Sequence, residues 1–202
     1  MKQLRLLLLL VPLGLAALAA PSHAQQLSLA AISQYLNQLQ TATGEFTQIN
    51  SDGTISTGTI YIKRPGRVRF EYAPPERSLV VAGGGQVAIF DARSNDGPDR
   101  YPLSQTPLSV ILARNVDLTR ASMVTGQTSD GTTTTVTAQD PDNPEYGTIQ
   151  LVFTSDPVEL RQWVITDDLG EQTTVILGEL ATGGNIRDIL FNIQAEMRSW
   201  QN

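Results

Sequence analysis

The side chains best suited to chemistry lie around the dipeptide Pro65-Gly66, which is typical of a turn. The runs on either side, residues 57–64 and 67–72, alternate between apolar and polar side chains, as β-strands with one buried face do. Arg64 is the exception, because the alternation places it on the apolar face. A buried guanidinium is costly unless it is paired. The sequence therefore predicts a partner for Arg64 elsewhere in the chain.

The neighbouring basic residues have two interpretations. They could form a docking patch for an acidic partner or headgroup, or they could be the solvated face of two strands, where charge discourages edge pairing. The sequence leaves both interpretations open. The residues concerned are Lys63, Arg67, Arg69 and Arg77.

Signals for catalysis are weak throughout the chain. It has no Cys, and its only His, His23, lies in the N-terminal segment discussed below, which argues against His-based triads, thiol nucleophiles, zinc sites and haem ligation. Lys63 could pair with a serine, but it is predicted on the solvated face. The loop at 140–145 carries acids that loosely resemble calcium ligands, although prolines interrupt the pattern. We predict a protein that is not an enzyme and needs no cofactor or metal. A secreted hydrolase with a carboxylate pair is the enzymatic alternative.

The N-terminus resembles a secretory signal peptide. Lys2 and Arg5 precede an apolar run at 6–20, and small residues flank a cleavage position after Ala24. We predict removal of residues 1–24 and one domain over 25–202, with a retained N-terminal anchor as the alternative. No Cys follows the apolar run, which argues against a lipid anchor. Asp and Glu outnumber Lys and Arg by 20 to 14, which argues against nucleic acid or an anionic membrane as the main partner.

The remaining chain predicts many short strands and two helices. Ser28 is the predicted N-cap of a helix that ends near Gln40, and Thr106 and Pro107 begin a second, short helix that stops near Asn115. Residues 93–100 are predicted as a polar loop, and Gly83-Gly84-Gly85 as a hairpin turn. The predicted strands are 43–49, 57–64, 67–72, 78–82, 86–91, 122–127, 132–138, 148–153, 160–166, 173–177 and 186–193.

This pattern predicts a mainly β fold with an α lid: a single curved antiparallel sheet that forms an incomplete, unclosed β-barrel covered by short helices. The concave face would then be a hydrophobic cavity. Its predicted lining is Ile60, Ile62, Val68, Phe70, Tyr72, Val81 and Ile89. The predicted apolar faces of the lid helices are Leu29, Ile32 and Leu36, and Leu108, Ile111 and Leu112.

Several motifs occur in the order found in a known family. The central one is IKRPGRVRFEY at 62–72, followed by Pro74-Pro75 and the strands on either side of the glycine turn. The others are Phe46-Thr47-Gln48, the helix from Thr106 to Asn115, and Asp168-x-Gly170. Over about 29–177 the chain resembles the outer-membrane lipoprotein carrier (LolA) family, whose fold is an incomplete barrel closed by helical lids.

The resemblance implies a chaperone of lipoprotein transport, exported with a cleaved signal peptide to the periplasm. It would bind the acyl chains of lipoproteins from an inner-membrane ABC lipoprotein-release complex and deliver them to an outer-membrane acceptor such as LolB. Arg64 matches the family's arginine in the Lys-Arg-Pro motif, which implies a gate that hydrogen-bonds helix-terminal carbonyls of the closed lid. A carrier that presents its mouth to two partners is most simply a monomer.

The chain departs from the family pattern at two places. The C-terminal segment 178–202 lacks the family's Phe-x-x-Pro-x-Gly ending, and Val68 stands where a larger residue is common. A carrier or sensor of another lipidated ligand on the same fold is therefore a second interpretation.

Overall fold

The computed structural model describes residues 26–94, 97–120 and 122–200. The predicted signal peptide at 1–24 lies outside these residues. Within them, no helix is both long enough and apolar enough to cross a membrane.

One twisted sheet contains every strand of the described residues. All neighbouring strands pair antiparallel, in the order β6-β5-β4-β3-β2-β1-β11-β10-β9-β8-β7, and β12 adds to the end of β1. The strands are β1 Thr41–Ile49, β2 Ile55–Lys63, β3 Val68–Tyr72, β4 Leu79–Gly83, β5 Gln86–Phe90, β6 Asp99–Pro102, β7 Val124–Ser129, β8 Thr133–Ala138, β9 Thr148–Ser155, β10 Val158–Thr166, β11 Gln172–Leu177 and β12 Ala181–Thr182.

The two edge strands, β6 and β7, do not pair with each other, so the sheet curls without closing. This confirms the predicted fold class, a mainly β protein with an unclosed antiparallel sheet and short helices. The hairpins use the residues that the sequence marks as turns. Gly84 and Gly85 both have positive φ, 59° and 79°, which suits the two-residue connection between β4 and β5.

Two helices cover the concave face of the sheet. α1 spans Leu29–Gln38 and begins at Ser28, whose side chain accepts a hydrogen bond from the Ala31 N–H, as the sequence predicts. α2 spans Leu108–Leu112. It begins one residue later than predicted, because Thr106 ends a preceding 3₁₀ turn at Leu103–Gln105. The main core lies between these helices and the sheet, with Ile32, Leu36, Phe46 and Trp163 among its buried members.

The C-terminal segment differs from its prediction. Residues 186–193 form no strand; a 3₁₀ turn at Asp188–Phe191 leads into helix α3, Ile193–Trp200. This segment packs on the outer face of β3–β5 and forms a second, smaller core with side chains such as Val81, Phe90 and Phe191. The outer face of β3–β5 is therefore covered by the C-terminal segment and is not fully solvated. A further difference is β6, which occupies the end of the stretch predicted as a polar loop.

Candidate functional site

The alternation of β2 and β3 directs one set of side chains toward the helices. Ile60, Ile62, Val68 and Phe70 are all buried in the main core, and the register pairs Ile60 with Phe70 and Ile62 with Val68. The sequence prediction that these four residues share the concave face agrees with their positions. They form part of the core wall beneath the helices, and two of them, Ile62 and Val68, line the cavity there.

A small apolar cavity lies between this wall and the lid helices. It encloses about 10 Å³, which is at the lower limit for a single water molecule. An acyl chain does not fit into this arrangement, so occupation by any sizeable ligand requires the helices to move. The lining residues are Leu36, Leu39, Ile62, Arg64, Val68, Leu108, Ile111, Leu112, Leu160 and Trp163.

Among the described residues that line this cavity, Arg64 is the only charged one, and it is 5% exposed. Its Nη2 donates a hydrogen bond of 2.6 Å to the carbonyl of Ala113, the residue that follows α2. The backbone N–H of Arg64 donates to the Gln40 carbonyl, at 2.8 Å, just beyond the end of α1. The guanidinium thus has the partner that its position on the apolar face calls for, and that partner is a carbonyl at the end of a lid helix.

Burial lowers the pKa of Arg64 from its ordinary value, because desolvation disfavours the charged form. Arginine remains protonated in proteins even so. The closed arrangement therefore holds a positive charge in an apolar interior. Removing water from that charge has a cost, so losing the bond to Ala113 while the charge stays buried would be unfavourable.

Asn37 joins α1 to the chain that follows α2. Its Nδ2 donates to the Val116 carbonyl at 2.8 Å, and its Oδ1 accepts from the Val116 N–H at 2.9 Å. The same Oδ1 lies 3.4 Å from Nη2 of Arg64. One turn earlier, Ser33 Oγ accepts a hydrogen bond from the Leu118 N–H at 3.0 Å. A short polar seam therefore connects α1, the chain after α2, and the β2–β3 turn.

The predicted lid residues lie where the prediction places them. Ile32, Leu36, Leu108, Ile111 and Leu112 are buried, and Leu29 is partly buried against the same core.

Three other predicted cavity residues do not line the cavity, and only Val81 is on the opposite face of the sheet. Tyr72 faces the main core but is only partly buried, and its hydroxyl donates to Gln48 Oε1 at 2.7 Å. Val81 is opposite Arg69 in the register, so it faces outward into the second core and not into the cavity. Ile89 is 39% exposed, since β5 lies next to the edge of the sheet, where the helices no longer cover it.

Three of the basic residues around the turn bind the C-terminal segment. Lys63 Nζ and Arg67 Nη1 each lie 2.7 Å from Asp188 Oδ1. Arg69, which is 8% exposed, donates to the Leu190 carbonyl and forms ion pairs with Glu71 and Glu196. These side chains are thus part of an internal docking surface, which neither interpretation from the sequence included.

Sequence reasoning missed Asn37 and Trp163 as members of the site. Asn37 carries no pattern that separates it from an ordinary solvated helix residue. Trp163 had a usable signal, because it shares its parity in β10 with the partly buried Ile165, but the sequence pattern alone favours only general core packing.

The acidic loop at 140–145 is held by protein donors. Asp140 accepts hydrogen bonds from the Asp142 N–H and from Asn143 Nδ2, and Asp142 pairs with Arg120. These bonds from neighbouring residues lower the pKa of Asp140, with the Asn143 side chain as the main cause. In the described ranges, no three His, Cys, Asp or Glu side chains are grouped as metal ligands would be.

Comparisons with known proteins identify related chains. A family model described as "Outer membrane lipoprotein carrier protein LolA" matches residues 37–194. An outer-membrane lipoprotein carrier protein from Coxiella burnetii is 24% identical over an alignment of 204 residues. The alignment covers 96% of this chain and 95% of the relative. One from Pseudomonas syringae is 22% identical over 199 residues, 95% of each chain. The crystal structure of a LolA superfamily protein from Nitrosomonas europaea aligns with a TM-score of 0.41 at 12% identity, over 82% of this chain and 98% of that one.

Proposed function

The chain belongs to the outer-membrane lipoprotein carrier (LolA) family, and from that premise we propose the individual steps that it carries out. After export and removal of residues 1–24, residues 25–202 act in the periplasm as a monomeric carrier domain. The carrier takes lipoproteins from an inner-membrane ABC release complex by enclosing their acyl chains. It then passes them to an acceptor at the outer membrane, such as a LolB-like receptor.

The observation that carries this proposal is the apolar interior beneath α1 and α2. Its walls are aliphatic and aromatic, and burial of an acyl chain against them yields about 0.8 kcal/mol per methylene group. Because the enclosed space is about 10 Å³, acyl chains enter only when the lids separate from the sheet.

Closure of the lids and binding of the lipid then compete with each other. In the empty protein the closed state is stabilised by Arg64 with Ala113 and by Asn37 with Val116. Acyl chains displace the lid helices and break these bonds. The affinity for cargo is reduced by the free energy of the closed state, which keeps it low enough for transfer to an acceptor.

A release assay tests the carrier function. Spheroplasts that synthesise a labelled lipoprotein are incubated with the purified mature protein, and label in the supernatant is measured together with the size of its complex. We expect a one-to-one complex. If label stays on the membrane although the protein binds free fatty acid, lipoprotein release is excluded and the ligand is another lipid; if it binds neither, the acyl-carrier function is wrong.

A pair of matched isoleucine variants ties the result to the cavity. Ile111 lines the cavity from α2, so Ile111→Ser places a hydroxyl there. Ile189→Ser changes a side chain that is 51% exposed. We expect Ile111→Ser to release several-fold less lipoprotein and Ile189→Ser to match the unsubstituted protein. Circular dichroism of both variants controls for folding. Equal release by the two variants would show that the acyl chains bind elsewhere.

A further inference from the structure

The cavity contains polar atoms that the closed structure leaves without partners. Among the described residues, the buried side-chain nitrogen and oxygen atoms lacking a hydrogen bond are Nε and Nη1 of Arg64 and Nε1 of Trp163. Arg64 and Trp163 both line the cavity beneath the lids. The two side chains are 5% and 1% exposed, so solvent does not satisfy these donors.

Such a coincidence calls for an explanation, because buried donors in folded proteins are nearly always paired. All three atoms are N–H donors, and the other described side chains of the lining are apolar and offer no acceptor. Nη2 of the same guanidinium bonds to Ala113 and Asn37 when the lids are closed, so Nε and Nη1 are the donors that the lid leaves unused. Trp163 is held from the other side by an edge-to-face contact with Phe70, with ring centroids 6.2 Å apart.

We propose that Arg64 and Trp163 form a polar subsite, within the otherwise apolar cavity, for the carbonyl oxygens at the head of a bound acyl chain. This inference rests on the proposed function, in which acyl chains enter that cavity. An acyl group bound to a lipoprotein ends in an ester or amide carbonyl, and a free fatty acid ends in a carboxylate. Both groups carry oxygen acceptors, and both complement a site that has only donors.

The subsite gives the cavity a means to distinguish acyl groups from plain hydrocarbon. Hydrophobic burial is non-directional and sets no register for a chain that slides along an apolar wall. A donor at a fixed depth sets that register, because an unmatched carbonyl elsewhere in the cavity would be desolvated without a partner. The head of the acyl group would therefore lie next to Arg64, at the point where the lid bonds are broken.

The test compares probes of matched length that differ only at the head. Methyl decanoate, decanoate and undecane are titrated separately into the mature protein, and the indole N–H resonance of Trp163 is followed by ¹H–¹⁵N NMR, assigned with Trp163→Phe. We expect the two carbonyl-bearing probes to move this resonance downfield relative to undecane. We also expect methyl decanoate to bind roughly threefold to tenfold more tightly than undecane, the range for one neutral hydrogen bond.

Two matched variants test the indole N–H of Trp163. Trp163→Phe keeps an aromatic side chain without the N–H. It should lose the part of the preference for methyl decanoate over undecane that the indole N–H contributes. Trp200→Phe, which removes an indole N–H from the second core on the outer face of the sheet, should retain the preference. Arg64→Gln tests the guanidinium. If the unsubstituted protein prefers decanoate to methyl decanoate and this variant does not, the subsite binds the carboxylate of a free fatty acid. If the unsubstituted protein prefers the methyl ester, the subsite binds the carbonyl of an acyl ester.

The outcomes distinguish the subsite from the carrier function. If all three probes bind equally and the Trp163 resonance does not depend on the head, the subsite is wrong although the acyl cavity stands. If Trp163→Phe and Trp200→Phe change the preference equally, the effect does not come from the cavity, and the subsite is again wrong. If no probe binds, the acyl cavity itself is wrong, and the proposed function is overturned together with the subsite.

Discussion

At the scale of single residues, Arg64 combines two properties that rarely occur together. It is charged and nearly inaccessible, yet among the described residues only one of its guanidinium nitrogen atoms has a close acceptor, the Ala113 carbonyl at 2.6 Å. A charge in this setting stabilises one arrangement of its neighbours while adding little to the free energy of folding. We infer that its contribution is to the choice between closed and open lids.

Replacing Arg64 with leucine should therefore alter transfer more than acquisition. The leucine side chain would remove the bond that re-closes the empty lid and add apolar contact for the cargo, so the loaded state gains. A hydrogen bond to a charged group contributes about 1.5–3 kcal/mol, and we expect transfer to an acceptor to slow by roughly tenfold or more. The measurement is the time course of labelled lipoprotein moving to acceptor-containing membranes.

Arg64→Lys serves as the control for charge. It keeps a donor within reach of Ala113 and should transfer more completely than Arg64→Leu. A normal cycle of release and transfer in Arg64→Leu would contradict the role of Arg64 as a gate.

Tyr72 makes a prediction about alkaline stability. Burial raises its pKa to about 12, against about 10 in an unfolded chain. Below pH 10 the hydroxyl is protonated in both states and has no effect on the pH dependence. Between pH 10 and 12 only the unfolded chain loses this proton, so the free energy of unfolding falls by up to about 1.4 kcal/mol per pH unit.

Urea unfolding at pH 9, 10 and 11 measures this slope. Tyr72→Phe should flatten it, although the loss of the bond to Gln48 lowers its stability at every pH. Tyr101→Phe, at a side chain that is 49% exposed, should leave the slope unchanged. Equal slopes in all three proteins would show that Tyr72 ionises freely in the folded state.

Sequence alone could place Arg64 correctly but not all of the predicted cavity residues. The alternation of β2 gives the side of the sheet on which Arg64 lies, and that required no knowledge of the fold. The side taken by Val81 depends on the register between β3 and β4, where it is opposite Arg69, and single-chain patterns do not specify that register. Ile89 faces inward, but its burial depends on how far the helices extend toward the sheet edge.

At the scale of elements, the C-terminal segment depends on one close contact with the sheet. A Cβ on Gly83 would overlap the carbonyl oxygen of Phe191, a backbone atom that cannot rotate away. Gly83→Ala should displace this segment from the second core and lower the free energy of unfolding by about 1–3 kcal/mol. The fluorescence of Trp200, whose ring centroid lies 5.2 Å from that of Phe90, should shift to longer wavelength.

Gly97→Ala is the matched control, because a Cβ at Gly97 meets no atom within 4 Å. It should leave both the unfolding midpoint and the fluorescence unchanged. Since the segment lies on the opposite face from the cavity, Gly83→Ala should still bind acyl chains at a temperature where it is folded. Unaltered stability in Gly83→Ala would mean that the segment does not pack as described.

The structure of this segment was the least predictable part of the fold. Its apolar residues are dense between 186 and 193, and a dense short run does not distinguish a strand from a turn. A usable signal lay farther on, since Ile193, Met197 and Trp200 have the i, i+4, i+7 spacing of one helix face. β6 gave no signal at all, because its four residues are exposed and include no alternation.

At the scale of the whole molecule, the sheet and the lids should respond differently to cargo. The strands β9 and β10 pair along most of their length in the middle of one half of the sheet. α1 and α2 are connected to the rest mainly by side-chain packing and the polar seam around Asn37. The proposed opening of the lids would therefore need no strand to separate.

Hydrogen exchange of the empty and the loaded protein measures this difference. We expect amides of α1 and α2 to exchange faster when acyl chains are bound, while amides of β9 and β10 keep their protection. Loading with undecane and with methyl decanoate should give the same pattern in the strands. A loss of protection in β9 and β10 on loading would instead indicate that the sheet itself opens.

The unpaired edges β6 and β7 have a consequence for capacity. In a closed barrel the radius is fixed by the number of strands and their stagger, and widening it requires hydrogen bonds to break. A sheet with two free edges can uncoil slightly while every pair of neighbouring strands stays bonded. If acyl chains bind under the lids as proposed, the volume there can change, and we expect one chain to accept cargoes with different numbers and lengths of hydrocarbon tails.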